Sequence, residues 1–169
     1  FAAYVVAEDR PYWEVFDRDY LLLDGVTAEG YRRTGIRTEG PLPTVTGDWR
    51  VVRLADEERR FRSVLSNLDF LDQFPDTPTN RNRARARGTY RFFLGTDILK
   101  TAEQPIDPTK ITDFNPTMNN TSCTVCHANI DPIAGTFHIF DEQGRYLPED
   151  PWLEDMRPPG FGTEQVPEE

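Results

Sequence analysis

No apolar run in this 169-residue chain approaches the roughly 20 residues that a membrane-spanning helix needs, so a transmembrane role for the stretch is excluded. An excess of positive charge is missing as well. Nineteen Lys and Arg stand against 29 Asp and Glu, a net charge of -10, and without a cationic surface nucleic acid is not the expected partner. Lysine is almost absent: Lys100 and Lys110 stand beside 17 Arg, which favours planar, multiply hydrogen-bonded pairing over loosely solvated charge. Long uninterrupted helices are disfavoured by 14 Pro and 11 Gly spread over the whole length. The opening Phe1-Ala2-Ala3-Tyr4-Val5-Val6 has no initiator Met and no signal-peptide pattern, and the stretch from Pro158 to Glu169 resembles a linker, so a piece of a longer protein is expected.

Bulky apolar surface, by contrast, is present. Eleven Phe, 6 Tyr and 3 Trp supply core material for one modest domain, or one and a half. Along the first forty residues, Tyr12, Trp13, Phe16 and Tyr20 suggest a helix, and Asp24-Gly25 a turn. The Gly-, Pro- and Thr-rich stretch from Thr34 to Asp48 predicts a loop, and the β-branched residues of Trp49-Arg50-Val51-Val52-Arg53-Leu54 a strand. Phe61, Val64, Leu65, Leu68 and Leu71 fall at steps of three and four, which predicts one amphipathic helix from Asp56 to Leu71 with Asp56 as N-cap. A second helix is predicted from Thr77 and Pro78 to Gly95, with Ala86, Tyr90 and Phe93 inward. Its five arginines, Arg81, Arg83, Arg85, Arg87 and Arg91, are expected to form a solvated face paired with acids; the sharper alternative has one or two of them holding the carboxylates of a buried cofactor.

Both cysteines lie in Cys123-Thr124-Val125-Cys126-His127, with one of only two histidines directly after the second. Cys-x-x-Cys-His is the attachment signature of a c-type haem. Two thiols three residues apart on one helical turn add across the two vinyl groups, and the next side chain then lies beneath the iron as proximal ligand. Two rivals are weaker. A thioredoxin-like dithiol would follow a strand in a parallel α/β scaffold, whereas Asp113-Phe114-Asn115-Pro116-Thr117 suggests a turn. Zinc would need Cys123, Cys126, His127 and His138 together, at a spacing that fits no common zinc module. Covalent haem is attached outside the cytoplasmic membrane, so an extracytoplasmic location, periplasm or cell surface, is expected.

Several other segments accompany the pentapeptide: Arg62-Ser63-Val64-Leu65-Ser66, Thr77-Pro78-Thr79-Asn80-Arg81 leading to Phe93-Leu94-Gly95, Ile130-Asp131-Pro132, and Phe140-Asp141-Glu142-Gln143-Gly144-Arg145-Tyr146. In that order the chain resembles the haem-containing domains of unknown function in large extracytoplasmic proteins of planctomycetes and myxobacteria, the PSCyt-associated group. The resemblance covers about half of the chain. It implies a c-type cytochrome module within a longer polypeptide and implies little about substrate.

Opposite His127, the ordinary axial ligands are Met118, His138 and Met156. Met156 is favoured, in a Pro-rich loop 29 residues beyond His127; His138 is second and Met118, on the approach to the attachment site, is last. His127 is expected to donate its other ring N–H to a backbone carbonyl in the stretch Asn129 to Pro132, where Asp131-Pro132 suggests a rigid turn. Phe137, Tyr146 and Trp152 are candidates for packing on haem. The expected architecture is mainly α, with short helices, few short strands and long Pro-rich loops: an N-terminal helical part at 1–100 and a haem-binding part at 101–169. The expected function is one-electron transfer with other redox proteins or subunits of a larger complex, against two alternatives, a peroxidase-like haem enzyme with an open sixth position and a structural haem module. Thirteen acids after residue 100 face only Lys110, Arg145 and Arg157, so a docking partner is expected to be basic.

Overall fold

The computed structural model describes residues 1–56, 58–77, 80–101, 109, 111–112 and 116–147, with the backbone alone at 59 and 118. The chain divides into two compact units, Phe1–Gln73 and Phe74–Glu169. Helix dominates, in short pieces, with a single two-stranded sheet among the described residues.

In the first unit, helix α1 (Ala2–Ala7) and a 3-10 turn (Tyr12–Val15) precede strand β1 (Tyr20–Leu23), helix α2 (Gly25–Arg33) and strand β2 (Arg50–Arg53). The strands pair antiparallel, with Leu21 opposite Val52 and Leu23 opposite Arg50. The expected strand is therefore found, whereas of the helix expected from Tyr12 to Tyr20 only a 3-10 turn forms, and Tyr20 opens the partner strand. Asp24-Gly25 is not a hairpin turn. Asp24 caps α2 by accepting from the Thr27 amide while Thr27 Oγ1 accepts from the Asp24 amide, which satisfies two donors that would otherwise be orphaned.

Asp24 also accepts from the Gly47 amide, and Gly25 donates its amide to Val45, so the long 34–48 loop is tied to the start of α2. That close approach is why residue 25 is glycine. A Cβ there would lie 2.6 Å from the carbonyl carbon and oxygen of Thr44. Gly25→Ala is expected to cost about 1–3 kcal/mol, because the obstructing atoms are backbone and cannot swing away. Urea denaturation of the full chain reads it, and an unchanged midpoint would show that the loop is not held where Asp24 places it.

The single helix expected from Asp56 to Leu71 is broken into 3-10 turns (Arg59–Phe61 and Val64–Ser66) and helix α3 (Leu68–Gln73). The cause is local: Ser63 caps the second turn, exchanging hydrogen bonds with Ser66 and Leu65, and Asn67 is extended with its carbonyl side chain accepting from the Asp69 amide. Three of the five periodic residues still find the core, and Val64 and Leu65 are half-buried. Phe61, Leu68 and Leu71 are buried, Phe61 meets Tyr31 edge-on at a centroid distance of 5.9 Å, and each such side chain contributes roughly 1.5–3 kcal/mol.

The second unit holds helix α4 (Arg83–Phe93), a 3-10 turn (Ile98–Thr101) and helices α5 (Pro116–Asn119) and α6 (Thr121–Gly135). Its core joins Ala86 of α4, Ile98, and Ile130 and Ala134 of α6, with Tyr90 and Ile133 packed against it. The boundary expected near residue 100 consequently falls inside this unit, because α6 completes its core with α4. Helix α4 starts later than expected. Thr77 does cap a turn, accepting from the Asn80 amide, but Arg81 and Asn82 take φ of +46° and +63°, and the left-handed pair stops that turn from running into α4. Gly95, at φ +66°, follows the end of α4 as predicted.

Candidate functional site

Asn120 caps α6 by accepting from the Ser122 amide, and the helix then runs through the Cys-x-x-Cys-His pentapeptide to Gly135. Cys123, Cys126 and His127 stand at i, i+3 and i+4, the spacing that puts side chains on one face. Neither cysteine is in a disulfide, both are buried, and Cys126 donates a weak hydrogen bond to the Ile98 carbonyl at 3.4 Å. Pro132 lies within α6, so Asp131-Pro132 is helical and not the expected turn. The consequence is chemical, since a continuing helix carries Asp131 one turn on from His127.

His127 Nδ1 lies 3.0 and 3.1 Å from the two carboxylate oxygens of Asp131, which is only 2% exposed. The expected backbone carbonyl is therefore replaced by a carboxylate from the same stretch, while the Asn129 carbonyl accepts from Tyr90 Oη instead. On its far side Asp131 is gripped by the Arg83 guanidinium, Nε to Oδ1 at 2.7 Å and Nη2 to Oδ2 at 3.2 Å. Burial alone would raise the Asp131 carboxyl, but the hydrogen bonds from His127 and Arg83 outweigh it and hold the group below its ordinary value. An ionised Asp131 needs a proton on Nδ1, which directs the His127 lone pair to Nε2; Nε2 makes no hydrogen bond among the described residues.

The arginines of α4 separate into distinct roles. Arg87 pairs with Asp97 at 2.7 and 2.8 Å and Arg91 is exposed, as a solvated face would be. Arg85 departs from that expectation entirely. It is 0% exposed and donates to the carbonyls of Phe74, Phe140 and Asp141 and to Asn82 Oδ1. Asp97 is held down to about 2, chiefly by the Arg87 hydrogen bonds. Its folded value lies below the unfolded one of about 3.9, so its stabilisation is complete above that pH and is lost as pH falls towards 2. Denaturation midpoints measured from pH 6 to pH 2 are expected to drop in that window, with a smaller drop in Asp97→Asn; identical profiles would refute the pair's contribution.

The remaining predicted residues are less gathered. Phe137 and Phe140 are buried, and Phe140 forms an antiparallel bridge with half-buried Tyr146. His138 Nδ1 contacts the Gly135 carbonyl at 2.7 Å. Trp152 and Met156 lie outside the described residues, and of Met118 only the helical backbone is described. Cys123, Cys126, His127 and His138 form no zinc set: among the described residues no group of three or more His, Cys, Asp or Glu converges. No helix of the described residues is long and apolar enough to cross a membrane. Of the acids after residue 100 that are described, Asp131 is buried, Asp141 pairs with Arg145 and Glu142 is exposed.

A cavity of about 300 Å³ in the first unit, lined by Arg10, Glu14, Arg18, Tyr20 and Arg62 among others, is separate from these residues. It is largely self-contained: Arg10 forks Glu14, which accepts from Tyr20 Oη, and the Arg18 guanidinium stacks 3.9 Å from the Phe1 ring centroid. No family model matches the chain, and neither a curated protein nor a solved structure is significantly similar to it.

Proposed function

We propose that the second unit carries one c-type haem, bound covalently through Cys123 and Cys126 and ligated by His127, and that the protein transfers single electrons within a larger extracytoplasmic redox protein or complex. The observation that carries this reading is the helical turn on which both thiols and His127 share a face while Nδ1 is committed to Asp131 and Nε2 remains available. Haem supplies a reversible one-electron iron couple. The residues of this chain do the rest. Cys126 exchanges its weak bond to the Ile98 carbonyl for a thioether, and Asp131 fixes the ring orientation of His127. Phe137, Tyr146 and Trp152 are the proposed apolar contacts of the group, and Met156 would supply the second protein ligand. A basic partner protein is proposed for the acidic segment that follows residue 100.

The resemblance to the PSCyt-associated domains supports the same conclusion through the order of its motifs. Zinc is the poorer fit, because the side chains do not converge on one point. A peroxidase-like enzyme with an open sixth position is a second reading, favoured by one observation: a carboxylate on Nδ1 makes His127 a more basic ligand than a carbonyl would. The test is the reduced-minus-oxidised spectrum of the full chain produced with c-type haem maturation, followed by exposure to carbon monoxide. A low-spin spectrum indifferent to carbon monoxide supports electron transfer, ready binding supports the enzyme, and the absence of any haem spectrum defeats both.

A further inference from the structure

Arg83, Asp131 and His127 form a line of three side chains drawn from two helices. We infer that Asp131 and Arg83 are opposed positioning residues that set how strongly His127 donates to iron, and through it the reduction potential of the site. The inference rests on the haem reading and adds a regulator to it. Asp131 is buried, and both of its oxygens are engaged on both sides, by Nδ1 of His127 and by the fork of Arg83. An anionic acceptor on Nδ1 draws the proton towards itself and makes the ring a stronger donor, which favours ferric over ferrous iron. Arg83 works against this. Its guanidinium withdraws charge from Asp131 through a bidentate pair, and its own positive charge favours the ferrous state.

The geometry makes the two effects separable. Asp131 belongs to α6, four residues beyond His127, and turns with it; Arg83 reaches the carboxylate from the first turn of α4. In reduction one electron passes from an external reductant to ferric iron, giving ferrous iron. No bond to Asp131 or Arg83 forms or breaks.

The experiment is spectroelectrochemical titration of the full haem-loaded chain, as wild type, Asp131→Asn, Asp131→Glu and Arg83→Gln, with resonance Raman of the iron–histidine vibration recorded for the ferrous form of each in a Met156→Ala background, where the second ligand is removed. Asp131→Asn preserves shape and a weaker acceptor but removes the charge. It is expected to favour the ferrous state by about tenfold, about 59 mV upward for one electron, and to lower the iron–histidine frequency. Asp131→Glu restores part of both, and Arg83→Gln moves the potential the other way. A wild type without haem overturns the inference together with the haem reading. A haem-loaded wild type whose Asn and Gln variants stay within twofold, or move in the same direction, overturns the inference alone. If Asp131→Asn does not fold, the direction of the Arg83→Gln shift decides: downward supports the inference, and unchanged or upward refutes it.

Discussion

Arg85→Met is expected to destabilise the second unit by about 3–5 kcal/mol, the largest loss foreseen for any single substitution in this chain. Methionine restores the volume of the stem, so the loss is not a packing defect. It is a loss of donors. Arg85 lies fully buried and supplies hydrogen bonds to three backbone carbonyls, of Phe74, Phe140 and Asp141, as well as to Asn82 Oδ1. Each abandoned buried acceptor costs roughly 1–3 kcal/mol, partly recovered where water can enter. The carbonyls of Phe140 and Asp141 follow α6, so Arg85 links α4 to the turn beyond the candidate haem helix. Arg85→Lys is expected to recover little, because one ammonium cannot replace a planar fork serving four acceptors. Urea denaturation followed by circular dichroism measures both variants, and a wild-type midpoint for Arg85→Met would contradict this account of the unit.

Replacing Cys123 and Cys126 together with Ala is expected to abolish covalent haem while leaving the helices standing. The first half follows from chemistry, since these are the only two thiols in the chain. The second follows from the core, in which Ala86, Ile98, Ile130 and Ala134 pack without either sulfur. A haem bound as proposed would add a large apolar surface to the unit, so the variant is expected to melt at a lower temperature than the haem-loaded protein. A haem-stained denaturing gel and far-UV circular dichroism read the two halves separately. Haem retained through denaturation in the double variant would exclude attachment at these cysteines.

Where the chain is punctuated locally, its structure follows directly from sequence. The β-branched run at 50–53, the loop at 34–48 and the glycine after α4 are each dictated by residues within a few positions of one another. The 56–71 stretch shows the limit: its apolar residues have helical spacing and Phe61, Leu68 and Leu71 do enter the core, but hydrogen bonds from Ser63 and Asn67 divide the backbone into short turns. Periodicity reports which side chains are buried, and competition from small polar side chains decides the backbone.

Of the site, the pentapeptide is legible because its chemistry is packed into five consecutive residues. Asp131 could have been found by the same logic. It stands four residues beyond His127, and the proline after it obscured that spacing by suggesting that the helix had ended. Arg83 had no such local sign, being 48 residues from its partner Asp131 and one of four arginines on α4. Arg85 was hidden for the same reason. Burial of a guanidinium depends on which carbonyls the tertiary fold leaves without donors, and those of Phe140 and Asp141 lie more than fifty residues away.

Intact-mass spectrometry of the full chain, secreted by a host with c-type haem maturation and then digested, tests the central claim most directly. The account predicts a mass increment of one haem, carried on the peptide that holds Cys123 to His127 and absent from every other peptide. An unmodified chain from a host that loads haem onto a control cytochrome made in parallel would contradict it.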